Sequence, residues 1–289
     1  MGQIYSLMIE FENREGRLSD MPSTYAHYRL GQEVLKEIPD DLKQIIIKNK
    51  TLYDIGLHGP DILFYYHPLK MNNVNSIGYQ MHEHTGKEFF EYAKEIIHHD
   101  EKAIAYIFGF ICHFALDASC HGYIDQKIAT SHISHTEIEV EFDRYLMIKD
   151  GWDPIYHQLT NHIVSTPLQG KVIAPFFKGT TPKQIEKALQ EMKTYNHLLI
   201  APTKLKRKFI YALLHITGNY QEMHGLLVNY QANPDCQDST EKLSELYEIA
   251  KKRAIQLIEE YHQYILDKAL LNDFYDYTFS GKKEQNNEV

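Results

Sequence analysis

Three side chains able to bind a metal, His113, Asp117 and His121, follow one another at intervals of four residues. If the segment is helical, this spacing places them in a stripe along one face over two turns. The surrounding run is rich in Phe, Ile, Leu, Ala and Cys, where an imidazole or a carboxylate is costly to bury without a partner. His135 and Glu139 repeat the interval shortly afterwards. Five nitrogen and oxygen donors within 27 residues predict a metal site that holds more than one ion.

Zinc is the ion that a mixed set of His, Asp and Glu ligands without thiolates favours. His113 and Asp117 are one turn apart and could bind one ion, and the second oxygen of Asp117 could bridge to another. His121 would join His135 and Glu139 on a neighbouring ion. Two ions about 3.5–4 Å apart can clamp the attacking and leaving oxygens of a phosphoester and lower the pKa of a bound water. The alternative is a hydrogen-bond network in the core, which explains less well why the spacing is repeated.

Four further candidate donors lie upstream of the stripe, and each alone is a weak signal. They are His27 near the start of a helix, Asp61 after Gly59-Pro60, and His82 and His84 before a helix. A lone helical histidine is more often a surface or core residue than a ligand. An Asp after Gly-Pro is more often a helix N-cap or a first-turn residue.

Helix signals dominate the chain, with no alternating strand series, repeat or low-complexity block. Apolar periodicity, caps and breakers predict helices at residues 24–38, 85–98, 101–121, 136–148, 181–195, 202–220 and 239–271, and a polar loop at 72–78. We expect an all-α, multi-helix bundle of about nine to eleven helices. A single domain spans residues 1–289: a metal-site half at about 20–150, packing helices at about 151–280 and a polar tail at 281–289.

The bulk composition narrows the class of protein. The 289 residues are 43% hydrophobic and carry a formal net charge of −9, which allows a sizeable core and disfavours a nucleic-acid backbone as partner. One basic cluster lies at residues 204–208. It is interpreted as a solvated helix start or as a surface that binds an anionic head group. No apolar run reaches the roughly 18 residues that span a membrane. With three cysteines and no secretory signal, the expectation is a cytoplasmic protein without a transmembrane segment.

These motifs, in this order, resemble those of the bacterial zinc-dependent phospholipases C. That family comprises all-helical three-zinc enzymes, including secreted lecithinases and clostridial alpha-toxin, and shares its fold with zinc-dependent single-strand nucleases. The resemblance covers roughly residues 20–150 and looks closest to an intracellular phospholipase C-like branch. The matching pieces are Met21-Pro22 to His27, Gly59-Pro60-Asp61, Met81-His82, His113-x-x-x-Asp117-x-x-x-His121 and His135-x-x-x-Glu139.

The resemblance implies a role for each matching residue. It assigns His82, His113 and Asp117 to one zinc ion, His121, His135 and Glu139 to a second, and His27 with a bridging Asp117 to a third. Asp61 would be the general base, or the organiser of the attacking water. His84 competes with His82, because the register of this loop is ambiguous.

The chain departs from the family at two places. In the secreted enzymes an N-terminal Trp ligates the third zinc, whereas no Trp lies near the start of this sequence. Either Met1 or another early residue substitutes for it, or the third site is weak or absent. The interval between Asp117 and His121 is also shorter than in the family. Two or three zinc ions are therefore expected, and metal binding is better supported than turnover of bulk lecithin.

The expected activity is hydrolysis of a phosphoester or a phospholipid head group by a metal-activated water. A metal-binding scaffold without turnover is one alternative. A zinc-dependent single-strand nuclease is another, although no basic stripe interleaved with aromatic residues supports it. An HD-type phosphohydrolase is a third, resting on His99-Asp100, where Asp100 is equally suited to cap a helix. Phe64-Tyr65-Tyr66 would form the wall of an apolar cleft or a buried helix face.

Overall fold

The computed structural model describes residues 24–68, 70–131, 133–216, 218 and 220–283. Over these residues the all-α prediction is confirmed, since they form twelve α-helices and no strand beyond two isolated bridges. The helices are α1 (Thr24–Glu37), α2 (Asp40–Lys48), α3 (Lys50–Gly56), α4 (Asn73–Glu83), α5 (Gly86–Ile97), α6 (Glu101–Thr130), α7 (His135–Lys149), α8 (Pro167–Ile173), α9 (Pro182–Leu199), α10 (Lys204–Ile216), α11 (Tyr220–Met223) and α12 (Gln237–Ile265). A 3-10 helix at Gly59–Tyr65 follows α3.

The central element is α6, which packs chiefly against α12 and α3 and also contacts α1, α2, α5 and α7. Its N-cap is Asp100, whose side chain accepts a hydrogen bond from the backbone N–H of Lys102. This contact confirms the capping interpretation of that residue. Helices α6 and α3 approach closely because each has a glycine at the crossing. A Cβ on Gly109 would lie only 2.2 Å from the carbonyl oxygen of Tyr53.

By length and composition α6 could cross a membrane, and 89% of its most apolar window is buried inside the protein. It runs to Thr130, beyond the predicted end at residue 121, and the added residues include Asp125 and Lys127. Such burial is typical of a central core helix. The absence of a membrane-spanning segment stays a prediction.

Two other sequence-based boundaries are wrong. Residues 72–78, predicted as a loop, contain the start of α4. The side chain of Asn72 accepts hydrogen bonds from the N–H groups of Val74 and Asn75, and Oδ1 of Asn75 accepts one from the N–H of Asn72. This reciprocal cap starts a helix in a segment whose composition is typical of a loop. The last long helix, α12, ends at Ile265 rather than near residue 271.

The main hydrophobic core joins residues from both predicted halves, from Tyr25 to Phe279. A small second cluster of Ala201, Ile210 and Leu227 lies under α10. The assignment of the whole chain to one domain stays a prediction. Of the predicted tail, residues 281–283 are described, and Lys283 bridges to Tyr277; residues 284–289 lie outside the described residues.

Candidate metal centre

The helix that carries His27 is held at its N-terminus by a carboxylate from α7. Asp143 accepts hydrogen bonds from the backbone N–H groups of Tyr25 at 2.8 Å and of Ala26 at 2.7 Å. These donors have no partner within the first turn, and a negative charge is favourable beside the positive end of a helix dipole. The contact ties α1 to α7 and leaves the His27 side chain buried.

Four buried side chains form the first donor group: His27, Asp61, His113 and Asp117. Each offers one ligand atom, and these atoms all lie within 4.8 Å of one another. The rings of His27 and His113 are stacked, with centroids 4.5 Å apart. Three elements supply the group, namely α1, the 3-10 helix Gly59–Tyr65 and α6. The fold thus joins two members of the stripe to two of the weak upstream candidates.

Asp117 turns its two carboxylate oxygens toward different histidines. Oδ1 lies 3.2 Å from Nε2 of His27, and Oδ2 lies 3.0 Å from Nε2 of His113. Oδ2 is also 3.8 Å from Nε2 of His82. A carboxylate has lone pairs on both oxygens, so this orientation suits a ligand shared between two ions.

His82, and not His84, faces the first donor group. Nε2 of His82 lies 3.1 Å from Oδ1 of Asp61. His84 contacts Glu88 at the surface instead, at 3.2 Å, and its side chain is 58% exposed. Because α4 continues through Glu83, His82 lies on the helix whereas His84 follows its end. Helix geometry therefore separates two histidines that the sequence could not distinguish.

His121, His135 and Glu139 form a second donor group, whose ligand atoms also lie within 4.8 Å of one another. Oε1 of Glu139 is 3.4 Å from Nε2 of His121 and 3.1 Å from Nε2 of His135. The side chain of Ser134 caps α7 by accepting a hydrogen bond from the N–H of Glu137. His135 is therefore the first residue of α7, one turn from Glu139. The short interval from Asp117 to His121 does not prevent this grouping.

Both donor groups border one cleft, which we call the donor cleft. Its lining residues are Asp61, His82, Asp117, His121, Asp125, His135 and Ser280. Neither Asp125 nor Ser280 was predicted from the sequence. Asp125 could have been, because it lies four residues after His121 and so continues the stripe by one turn. Ser280 follows the last helices, and no spacing pattern indicates a role for it.

Backbone carbonyls orient two of the histidines. Nδ1 of His82 is 2.8 Å from the carbonyl oxygen of Gly78, and Nδ1 of His121 is 3.2 Å from that of Phe279. A carbonyl can only accept, so each Nδ1 carries the proton and each Nε2 is left to bind an ion. Metal-binding histidines commonly have such a partner on the other ring nitrogen.

Several buried polar atoms of the first group make no hydrogen bond of suitable geometry among the described residues, although Oδ1 of Asp61 lies 3.1 Å from His82 and Oδ2 of Asp117 lies 3.0 Å from His113. They are Nδ1 of His27, both carboxylate oxygens of Asp61, both ring nitrogens of His113 and Oδ2 of Asp117. Leaving such atoms unsatisfied costs about 1–3 kcal/mol each, so a self-contained hydrogen-bond network is a poor explanation. Cation coordination would satisfy them, and nitrogen and oxygen donors without thiolates fit zinc.

The electrostatics of both groups favour ionised carboxylates. Burial alone would raise the pKa of Asp117, but His113, His121 and His27 outweigh it and hold that pKa well below its usual value. Burial likewise opposes ionisation of Glu139, and the neighbouring His135 and His121 lower its pKa. Metal ligation requires the deprotonated carboxylate. The two groups therefore supply anionic oxygen ligands over the whole physiological pH range.

The aromatic run after Asp61 is a buried face and not an open wall. Phe64 and Tyr65 are 2% and 3% exposed, and the Phe64 ring packs 5.4 Å from the ring of His82. The motif at Met21-Pro22 and any N-terminal substitute for the third-zinc Trp lie outside the described residues.

A family model described as zinc-dependent phospholipase C matches residues 26–213, which is more than half of the chain. The matched range includes every residue of both donor groups together with His82. No curated protein and no solved structure matches the chain.

Proposed function

The chain belongs to the zinc-dependent phospholipase C family, and on this premise we propose that it is a zinc-dependent phosphoester hydrolase. Its substrate class would be a phospholipid head group or a smaller phosphodiester. The observation that carries the proposal is the pair of donor groups on one cleft. A core built only for stability would not leave several buried imidazole and carboxylate atoms without hydrogen bonds of suitable geometry.

The candidate ligands would form three zinc sites. His82, His113 and Asp117 would hold one zinc ion, and His121, His135 and Glu139 a second. Asp117, with one oxygen toward His27 and the other toward His113, would be the shared ligand of a third site. When bound, zinc polarises phosphoryl oxygens and lowers the pKa of water.

Asp61 is the residue that we assign to proton transfer. Its side chain is buried beside His82 and His113, with contacts of 3.1 Å and 3.6 Å. It also lines the donor cleft, so its carboxylate can reach a water held there and accept the proton released on attack at phosphorus. Because its oxygens lie among the ligand atoms, a role as an additional ligand is the competing assignment.

The test measures zinc content and hydrolysis of a chromogenic phosphodiester on the same purified protein, before and after chelation. We expect two or three zinc ions per chain and turnover that chelation abolishes and added zinc restores. Asp61→Asn should retain zinc and lose at least about 100-fold in turnover, the lower end of the range for a general base. Asp125→Asn, at the same cleft but outside both donor groups, is the matched control.

Three outcomes would contradict parts of this proposal. Loss of zinc in Asp61→Asn would make Asp61 a ligand. Tightly bound zinc without turnover on diesters or phosphocholine esters would support a metal-binding scaffold. Cleavage restricted to single-stranded DNA would support a nuclease, which the net charge of −9 disfavours.

A further inference from the structure

Helix α10 carries apolar side chains both against the protein and in water. Its inner face carries Ile210, 7% exposed, which packs with Ala201 and Leu227. Arg207 also points inward, and its Nη2 donates a hydrogen bond of 2.6 Å to the carbonyl oxygen of Val228. These contacts fix which side of the helix faces the protein.

The outer face of α10 is formed by large apolar side chains in water. Leu205 is 80% exposed, Phe209 66%, Leu213 46% and Ile216 83%. At 100° per residue these four lie within an arc of about 80°, on the side opposite the buried Arg207. Single exposed hydrophobic residues are common, whereas a contiguous stripe on one helix marks a surface that contacts another apolar phase.

Positive charge accompanies this stripe. Lys204 and Lys208 are exposed and lie along one edge of the apolar arc, together with His215. Lys206 lies at the other edge, where its ammonium donates to the carbonyl oxygen of Ile200. Residues 192–221 contain five Lys or Arg and no Asp or Glu, in a chain that has 39 acidic residues and a net charge of −9. The basic character is therefore local to this surface.

We propose that α10 docks the protein on an anionic phospholipid surface, with Leu205, Phe209, Leu213 and Ile216 inserted among the lipids. An apolar stripe bordered by lysines is the arrangement of helices that lie in the plane of a membrane interface. Lysines near an anionic leaflet add attraction that salt screens. The inference goes beyond the proposed hydrolase activity and does not rest on it, because lipid binding is measured without turnover.

A second copy of the chain is the rival occupant, and the charges decide against it. An isologous contact through this face would remove the Lys204 and Lys208 ammonium groups of both copies from water, and neither α10 brings an acidic partner. An anionic bilayer supplies the missing counter-charge while it accepts the apolar side chains.

The test is co-sedimentation of the full chain with vesicles of phosphatidylcholine alone or with about one third phosphatidylserine. Zinc-loaded Asp61→Asn protein is measured beside the wild type, so that hydrolysis does not alter the vesicles. We expect binding to the anionic vesicles, weaker binding to neutral ones, and a loss of binding at high salt. The double variant Leu205→Ser/Phe209→Ser should bind the anionic vesicles at least about tenfold more weakly than the wild type.

The matched control is Ile249→Ser/Leu270→Ser, which removes two exposed hydrophobic residues outside α10, of 52% and 90% exposure. It should bind vesicles as the wild type does. Circular dichroism and zinc content verify that both double variants fold. Equal vesicle binding by Leu205→Ser/Phe209→Ser and the wild type would overturn the proposal, as would no vesicle binding by the wild type. A dimer that the α10 double variant dissolves, without vesicle binding, would assign the face to self-association.

Discussion

Asp117 is the residue on which the first donor group depends, because its two oxygens face different histidines. In Asp117→Asn one oxygen becomes an amide NH2, which cannot ligate an ion. We expect zinc in the first group to be lost, with affinity at least about 100-fold weaker, and diesterase activity to fall with it. Zinc titration by competition with a chromophoric chelator measures the loss. A variant with full zinc content and activity would refute the bridging assignment, and Asp125→Asn again serves as the control.

A second residue-scale prediction concerns two neighbouring histidines beside the first donor group. Nε2 of His58 and Nε2 of His162 are 2.7 Å apart, and the His162 ring stacks on Tyr28 with centroids 3.9 Å apart. Burial, with a smaller contribution from the charge of Lys50, lowers the pKa of His162 to about 3. Burial also holds the pKa of His58 well below its usual value. The folded protein therefore keeps this pair neutral at pH 5, where an unfolded histidine is protonated.

The sign of the pH dependence follows from those two states. Between an unfolded pKa of about 6.5 and a folded pKa of about 3, the unfolded chain binds more protons, so stability falls as the pH falls. His162→Phe should reduce the loss of unfolding free energy between pH 7 and pH 5 by about 2 kcal/mol. Urea unfolding of metal-free protein at both pH values measures it. If His162→Phe loses as much unfolding free energy as the wild type between pH 7 and pH 5, the prediction is refuted. His84→Phe, which replaces an exposed histidine, is the control.

At the scale of elements, we define residues 278–283 as the C-terminal strap. The strap contacts His82, beside the first donor group, and His121, in the second. The hydroxyl of Ser280 donates to the carbonyl oxygen of His82, and the carbonyl oxygen of Phe279 accepts from His121. The strap lies against α6 at Gly281, which has a φ of +72°. A Cβ there would lie 2.8 Å from the carbonyl oxygen of Ala118. The strap can therefore dock only with glycine at this position.

Gly281→Val tests this docking, because the side chain would collide with the α6 backbone and displace Phe279. We expect zinc affinity of the second group to fall about 10- to 100-fold, the usual effect of losing a partner of a ligating histidine. Gly151→Val is the control, since Gly151 has a φ of +83° but nothing within 4 Å of its Cβ position. Equal zinc affinity in the two variants would show that the strap does not position His121.

The helices themselves were largely readable from the sequence. Caps and apolar periodicity located α1, α5, α7 and α9 to within a few residues, because those signals act within one or two turns. The start of α4 was missed because Asn72 and Asn75 are typical of loops until their side chains cap a helix reciprocally. The end of α6 was missed because packing against α12 extends a helix beyond its local signals.

At the scale of the whole molecule, we expect stability to depend on metal. An ion that binds only the folded chain stabilises it by about 2.7 kcal/mol at a hundredfold excess over Kd. Chelation should therefore lower Tm by about 5 °C or more, and added zinc should restore it. Differential scanning calorimetry measures the shift. Asp117→Asn should show a smaller shift, and an equal shift would mean that the stabilising ion binds elsewhere.

By itself the sequence determined the all-α class and the two local pairs of candidate donors, His113 with Asp117 and His135 with Glu139. Four-residue spacing on a helix places side chains together without help from the rest of the chain. Tertiary structure decided that Asp61 and His27 join the first pair and that His82 rather than His84 faces it. It also supplied the carbonyl oxygens of Gly78 and Phe279 that orient the histidines. Contacts between distant segments depend on how helices cross, and a backbone carbonyl is common to every residue, so neither leaves a signal in residue types or spacing.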